Sequence, residues 1–282
     1  MIKRSDKIGI IGLGLLGGSY AKGFYNAGYR VYGIDIDPEA IAFAKRMKWI
    51  VEGGDDPALL SDCDIVISAL YPRLFVEWIK ENQHVFKEGI ILSDVTGIKR
   101  QVIDEVNAIL RKDIEFIACH PMAGREYKGI AYADCNQFET SNFIIVPTEN
   151  NSERAKEAGY DIGRILRFKT ISELSPEEHD NIIGFVSQLC HVIAISLMNL
   201  SENEKLVDYT GDSFRDLTRI ANINENLWPE LFICNKDNLL KHIDALEQQV
   251  HILRDYIEEE NIEAMKALMV EATARRKKFD RK

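Results

Sequence analysis

The sequence predicts an α/β N-terminal Rossmann-type domain with a parallel sheet, residues 1–150, followed by an all-α C-terminal domain, residues 151–282. Three observations carry this expectation. Six short β-rich runs alternate with helix-length segments in the first half, the pattern of strands joined by crossover helices. A glycine-rich turn follows the first run directly. Of the 18 glycines, 14 precede residue 150 and four follow it, so the two parts are built differently.

The strand runs are, in order, KIGIIG from Lys7, RVYGID from Arg30, DIVISAL from Asp64, GIILSDV from Gly89, EFIACH from Glu115 and NFIIVP from Asn142. From Ser175 onward the signals are helical. Ser175-Pro176-Glu177-Glu178 reads as an N-cap, a proline at the first helical position and a reciprocal capping glutamate. A long helix is expected from there towards Leu200. Its residues are apolar almost all round, which predicts burial on every side, while Asp180, Ser187, Gln188 and His191 interrupt the run short of a membrane span. Further on, Leu239, Ile243, Leu246, Val250, Leu253 and Ile257 step by four and three, the spacing of a helix packed lengthwise on a neighbour. A homodimer seam is the expectation, although periodicity alone does not say whether the neighbour lies in the same chain.

The chain has 282 residues, with 46% apolar and 28% charged side chains, which excludes long disorder and a small disulfide-stapled module. Its net charge of -10 has the wrong sign for a sequence-independent grip on nucleic acid. Six basic residues fall in the last eight positions, where they suit the negative end of a helix dipole. Five cysteines form no CxxC pair and sit mostly in apolar runs, which predicts reduced thiols and a cytoplasmic protein. The apolar N-terminus is broken by glycines and reads as a first strand, not a signal peptide.

Gly12-Leu13-Gly14-Leu15-Leu16-Gly17 joins the first strand to a helix, the order of a dinucleotide-binding turn. Gly12 allows the tight turn, Gly14 a close backbone approach to pyrophosphate, and Gly17 close helix–strand packing. The turn opens a helical stretch, Ser19 to Asn26, and Leu15 and Leu16 belong to the turn that brings phosphate to the free amides of that helix N-terminus. Asp35, 18 residues after Gly17, ends the second strand where a carboxylate accepts from both ribose hydroxyls. No arginine or lysine follows to meet a 2′-phosphate, so the expected cofactor is NAD. His120, at the carboxyl end of the strand beginning at Glu115, points to a proton acceptor at the ligand edge of the sheet. On the long helix, Gly184, Gln188 and His191 form a polar strip that spacing alone assigns equally to a polar neighbour or a ligand. Asp216 and Arg219 share a helix face, which fits either an ion pair or a binding site.

Taken together, GLGLLGGS, DVTGIK, HPMAGRE, SPEEHD with SQLCH, and FRDLTRIA followed by Trp228 resemble the prephenate/arogenate dehydrogenase family over nearly the whole chain. The resemblance implies a small-molecule substrate, prephenate or arogenate, oxidised by NAD with loss of carbon dioxide, and a homodimer joined through the C-terminal helices. It implies that His120 hydrogen-bonds the ring hydroxyl, that Glu126 is an acid at the site mouth, and that His191 and Arg219 hold substrate carboxylates. Asp216, Trp228 and Gln188 would lie beside the substrate, and Thr96 beside the cofactor. The family's histidine-assisting serine is replaced here by Gly97, leaving Thr96 or a water as candidates for its role. Two other readings stay open: another two-domain NAD-dependent hydroxy-acid or imine dehydrogenase, and a non-catalytic NAD-sensing dimer. Nothing in the sequence suggests a metal-ligand cluster.

Overall fold

The computed structural model describes residues 2–124 and 127–279. The described chain divides into two compact units, one ending at Asn235 and one beginning at Lys236. The first is built on a single eight-stranded sheet, ordered β3-β2-β1-β4-β5-β6-β7-β8. Its strands are β1 (Lys7–Ile11), β2 (Arg30–Ile34), β3 (Glu52–Gly54), β4 (Ile65–Ser68), β5 (Ile91–Asp94), β6 (Glu115–Pro121), β7 (Asn142–Val146) and β8 (Thr170–Glu173). Strands β1 to β6 run parallel, β7 pairs antiparallel with β6, and β8 lies parallel to β7. The six expected runs all form strands. The two additional strands, EGG and TISE, are the short edge strands at the two ends of the sheet, one without β-forming residues and the other only four residues long.

Helices α1 (Leu15–Asn26), α2 (Pro38–Arg46), α3 (Pro72–Asn82), α4 (Arg100–Ile109) and α5 (Glu153–Ile165) follow strands β1, β2, β4, β5 and β7. Alternate strand residues feed opposite faces of the sheet, as the pleat requires. Ile65, Ile67, Ile117 and Cys119 enter one buried cluster with Phe24 and Ile162. Val66, Leu92, Phe116 and Ala118 enter the other, with Phe75, Ile79 and Val102. The sheet and α5 continue past residue 150, because the apolar face of α5 packs on β6 and β7 and leads into β8. The sheet brings Gly12, Asp35, Gly97 and His120 to the carboxyl ends of β1, β2, β5 and β6, the edge where open α/β sheets bind ligands.

The capping box forms as read: the Ser175 hydroxyl accepts from the Glu178 amide at 3.2 Å, and the Ser175 amide donates to Glu178 Oε2 at 3.0 Å. The long helix departs from expectation in two ways. It is α6 (Pro176–Ile183) and α7 (Leu189–Met198) joined by a π turn over Gly184–Gln188. It is also not buried all round, since Phe185 is 58% and Val186 48% exposed in the single chain. At 23 residues the run is long and apolar enough to cross a membrane by length and composition, so the interrupting polar residues do not shorten it below a span. What fixes it in the first unit is that His179, Asp180 and Gln188 are buried and hydrogen-bonded to neighbouring elements.

Helices α8 (Asp212–Thr218) and α9 (Trp228–Cys234) complete the first unit. The second unit is a hairpin of α10 (Lys236–Glu258) and α11 (Ile262–Arg276), with Asn261 capping α11 through the Ala264 amide. On the expected seam Leu246 and Leu253 are half-buried, whereas Val250 and Ile257 stay exposed. Arg275 and Arg276 occupy the last turn of α11, where cations oppose the dipole; Asp280, Arg281 and Lys282 lie outside the described residues. All five cysteines are free thiols, and burial pushes Cys63 and Cys119 up to about 12.

Candidate active site

The glycine turn has the geometry that an anionic ligand needs. Gly12 sits at φ +86, a conformation side chains rarely adopt, and a Cβ on Gly17 would lie 1.8 Å from the Gly12 carbonyl oxygen. A Cβ on Gly14 would meet nothing within 4 Å, so this backbone faces open space. No side chain caps α1, which leaves the amides of Leu15, Leu16 and Gly17 as the orphan donors of a helix N-terminus. Asp35 is held against the turn, accepting from the Leu13 amide at 2.5 Å and the Asp37 amide at 2.8 Å. Asp37 caps α2 through the Glu39 amide, which separates its role from that of Asp35. These residues fit a dinucleotide: an uncapped helix start, an unfilled approach and a carboxylate at the second strand end.

His120 is the penultimate residue of β6 and is half-buried. Its Nδ1 lies 2.9 Å from Nε2 of His179 on α6, and His179 Nδ1 lies 2.8 Å from Asp180 Oδ1. Asp180 is fully buried and also accepts the backbone amides of Lys99 at 2.8 Å and Arg100 at 2.9 Å. Burial, reinforced by the neighbouring His179 and Lys99, holds the His120 imidazole well below the usual histidine range. Burial likewise lowers His179, against the opposing pull of Asp180. For Asp180 burial pushes upward, but the bonds from His179 and the two amides outweigh it and keep the carboxyl below its ordinary value.

The segment after β5 forms the floor beside His120. Asp94 is fully buried, pairs with Lys99 Nζ at 2.6 Å, and accepts the Cys119 amide at 3.1 Å. Thr96 is buried, donates its hydroxyl to Asp94 and accepts from Lys99 Nζ at 3.1 Å. Its hydroxyl is therefore turned into this ion pair, not towards His120. Gly97 is the residue that faces the histidine: a Cβ there would stand 3.8 Å from His120 Nε2 and 3.7 Å from Leu231.

The remaining candidates spread along the helices. Gln188 is buried, donating to the Leu231 carbonyl at 2.9 Å and accepting from Asn235 at 2.8 Å, so both ends of its amide bind α7's neighbours. His191 donates Nδ1–H to the Ser187 carbonyl at 2.9 Å and lies over Trp228, with ring centroids 3.6 Å apart. Arg219 is exposed in the single turn Arg219–Ala221, which packs against α7, and Asp216 is exposed on α8. Glu126 lies outside the described residues. The segment leading into α9 is tied to the start of α3: Asn224 donates to the Tyr71 hydroxyl at 2.6 Å, and Glu230 accepts the Arg73 amide at 2.6 Å. Among the described residues no cluster suited to a metal ion occurs.

The sequence reading missed His179, Asp180, Asp94 and Lys99. A signal for Asp180 was present, because it extends the Gly184–Gln188–His191 strip by one turn towards the N-terminus. No comparable signal marks Lys99 or Asp94, whose partners are set by the fold.

The family model described as "Prephenate dehydrogenase, nucleotide-binding domain" matches residues 21–162, and "Prephenate dehydrogenase, dimerization domain" matches residues 175–271. The chain belongs to the prephenate dehydrogenase family. It is 28% identical to a Bacillus subtilis prephenate dehydrogenase over 272 residues, covering 93% of this chain and 73% of that protein. It is 26% identical to a Zymomonas mobilis cyclohexadienyl dehydrogenase, covering 92% and 94%. A solved A. aeolicus prephenate dehydrogenase, in complex with hydroxyphenyl propionate and NAD+, superposes with a TM-score of 0.90 at 29% identity, covering 99% of this chain and 100% of that one. The nucleotide-binding-domain match covers the sheet from within α1 to α5 and begins after the glycine turn, and the dimerization-domain match spans the helices whose apolar faces stay exposed in one chain.

Proposed function

We propose that this protein is an NAD-dependent prephenate dehydrogenase that oxidatively decarboxylates prephenate to 4-hydroxyphenylpyruvate. The observation that carries the reading is His120: an imidazole held neutral at the ligand edge of the sheet, with Nδ1 engaged by His179 and Nε2 facing the space above Gly97. In this reading the turn from Gly12 to Gly17 and the first amides of α1 hold the pyrophosphate, and Asp35 holds the adenosine ribose. NAD, when bound, supplies the acceptor for the hydride that leaves the ring. The ring hydroxyl lends its proton to His120 Nε2 as the hydride leaves, the ring carboxylate departs as carbon dioxide with its electron pair passing into the ring, and the resulting phenolate oxygen takes the proton back. Aromatisation drives the step, so the protein needs only to orient its ligands and hold one proton in passing.

Arg219 and His191 hold the substrate carboxylates, with Trp228 fixing the His191 ring from below. Asp216 lies at the periphery of this group. Gln188 supports the site from behind, through Leu231 and Asn235. The working form is a soluble cytoplasmic homodimer in which a second copy covers Phe185, Val186 and Met198. The free thiols, of which Cys63 and Cys119 are buried, support the compartment.

The test is to incubate the purified protein with NAD and either prephenate or arogenate and to follow NADH formation. NADH with prephenate is the expected result. NADH with arogenate alone would reassign the substrate, and NADH binding without turnover on either would favour a sensing role.

A further inference from the structure

We infer that His179 is a positioning residue that fixes the tautomer of His120, with Asp180 and two backbone amides of the β5–α4 junction setting the direction of the chain of hydrogen bonds. The inference rests on His120 being the proton acceptor. Its logic starts at the backbone, where no choice of protonation exists. The Lys99 and Arg100 amides can only donate, and they donate to Oδ1 and Oδ2 of Asp180 respectively. Both oxygens of the carboxylate are thereby acceptors, so the proton shared with His179 must sit on His179 Nδ1. A neutral His179 then has a lone pair on Nε2. It can only accept from His120, which places the His120 proton on Nδ1 and the lone pair on Nε2.

That lone pair is the atom facing Gly97, and no Cβ or hydroxyl at that position competes for it. The same carboxylate therefore tethers the loop bearing Gly97 and orients the imidazole that Gly97 leaves uncovered. The charged and titratable groups around His120 are His179 and Asp180 on α6, Asp94 at the end of β5 and Lys99 at the start of α4. Lys99, paired with Asp94 at 2.6 Å, acts on the ring only through space, whereas the His179–Asp180 arm bonds it directly.

The experiment combines nitrogen NMR of histidine-labelled protein with two variants, His179→Leu and His179→Gln. In the wild type at neutral pH, the His120 resonances, identified by their loss in His120→Asn, should show a protonated Nδ1 and an unprotonated Nε2. This measurement needs no substrate, so it stands or falls apart from the proposed reaction. His179→Leu orphans the His120 Nδ1–H; the ring should shift towards the other tautomer, and kcat should fall roughly ten- to hundredfold with KM nearly unchanged. In His179→Gln the amide oxygen can again accept from Nδ1–H, and most of the lost rate should return. Both variants remove the neighbouring imidazole, so the acidic limb of the rate profile should move to higher pH.

A His120 protonated on Nε2 in the wild type would overturn the inference. Equal losses in the two variants with an unmoved acidic limb would also overturn it, because that is the behaviour of a packing residue. If His179→Leu does not fold, the wild-type spectrum and the glutamine variant still decide.

Discussion

Replacing Asp180 by alanine removes one side chain and orphans three donors at once. The carboxylate is fully buried and accepts from the Lys99 amide, the Arg100 amide and His179 Nδ1, at 2.8, 2.9 and 2.8 Å. A buried donor left without a partner costs about 1–3 kcal/mol, and breaking a buried charged network by removing one member costs about 3–5 kcal/mol. The Arg100 side is partly exposed and admits water, so the lower part of the summed range applies: about 3–5 kcal/mol. At about 2 °C per kcal/mol for a chain of this length, that is a fall of roughly 6–10 °C in Tm. The assay is urea unfolding followed by circular dichroism at one protein concentration, with the midpoint read at constant slope. Asp180→Asn can keep an oxygen towards His179 and Lys99 while turning its amide against the Arg100 N–H, and should lose less than alanine. A midpoint for Asp180→Ala within about 1 kcal/mol of wild type would refute the reasoning, since two buried donors and a partly buried third cannot lose their acceptor at so small a cost.

His120→Asn should lower turnover by roughly 10²- to 10⁴-fold while leaving NAD affinity intact, and the wild-type acidic limb, set by a lowered imidazole, should lie below about pH 6.5 and vanish in the variant. Asp35→Ala should weaken NAD and narrow its advantage over NADP, which steady-state kinetics with both cofactors will show; an unaltered ratio would remove Asp35 from cofactor choice. Arg219→Lys should raise the apparent substrate KM far more than it lowers kcat, because lysine cannot reproduce a two-bond grip on a carboxylate; unchanged saturation would dismiss that role. Both His120 and His179 are held below their unfolded value near 6.5, so the unfolded chain takes up protons first as pH falls. Stability present above pH 6.5 should therefore be lost below it, by up to about 1.4 kcal/mol per pH unit for each histidine, and a Tm that stays flat from pH 7.5 to 5.5 would contradict this.

The local signals in the chain proved the most readable. Ser175 and Glu178 form the reciprocal cap that their spacing announces, and Gly12 and Gly17 occupy positions that only glycine allows, with Gly14 facing open space between them. What could not be read was the partner of each buried polar group. Gln188 and Asp180 look alike as interruptions of an apolar run, yet one binds Leu231 and Asn235 and the other organises the loop after β5. Thr96 and Gly97 are neighbours, but the threonine turns into the Asp94–Lys99 pair and the glycine turns towards His120. Such choices depend on contacts between residues some 80 positions apart, such as Lys99 with Asp180, to which periodicity is blind. The exposed faces of Phe185 and Val186 were misread for a related reason: an all-round apolar helix needs enough neighbours, and a single chain does not supply them.

The π turn over Gly184–Gln188 gives the long helix two angular settings. A regular α-helix advances about 100° per residue, and a π turn absorbs roughly one extra residue in the same rise. Everything after Gln188 is thus rotated by about a quarter turn from where an unbroken helix would carry it. Upstream of the turn, the helix phase points His179 at His120; downstream, it lays His191 on Trp228. The turn acts as a coupling between two gears cut on one shaft. Each end can mesh with its own partner without dragging the other out of alignment, and a one-residue deletion within it would lock both ends to a single phase.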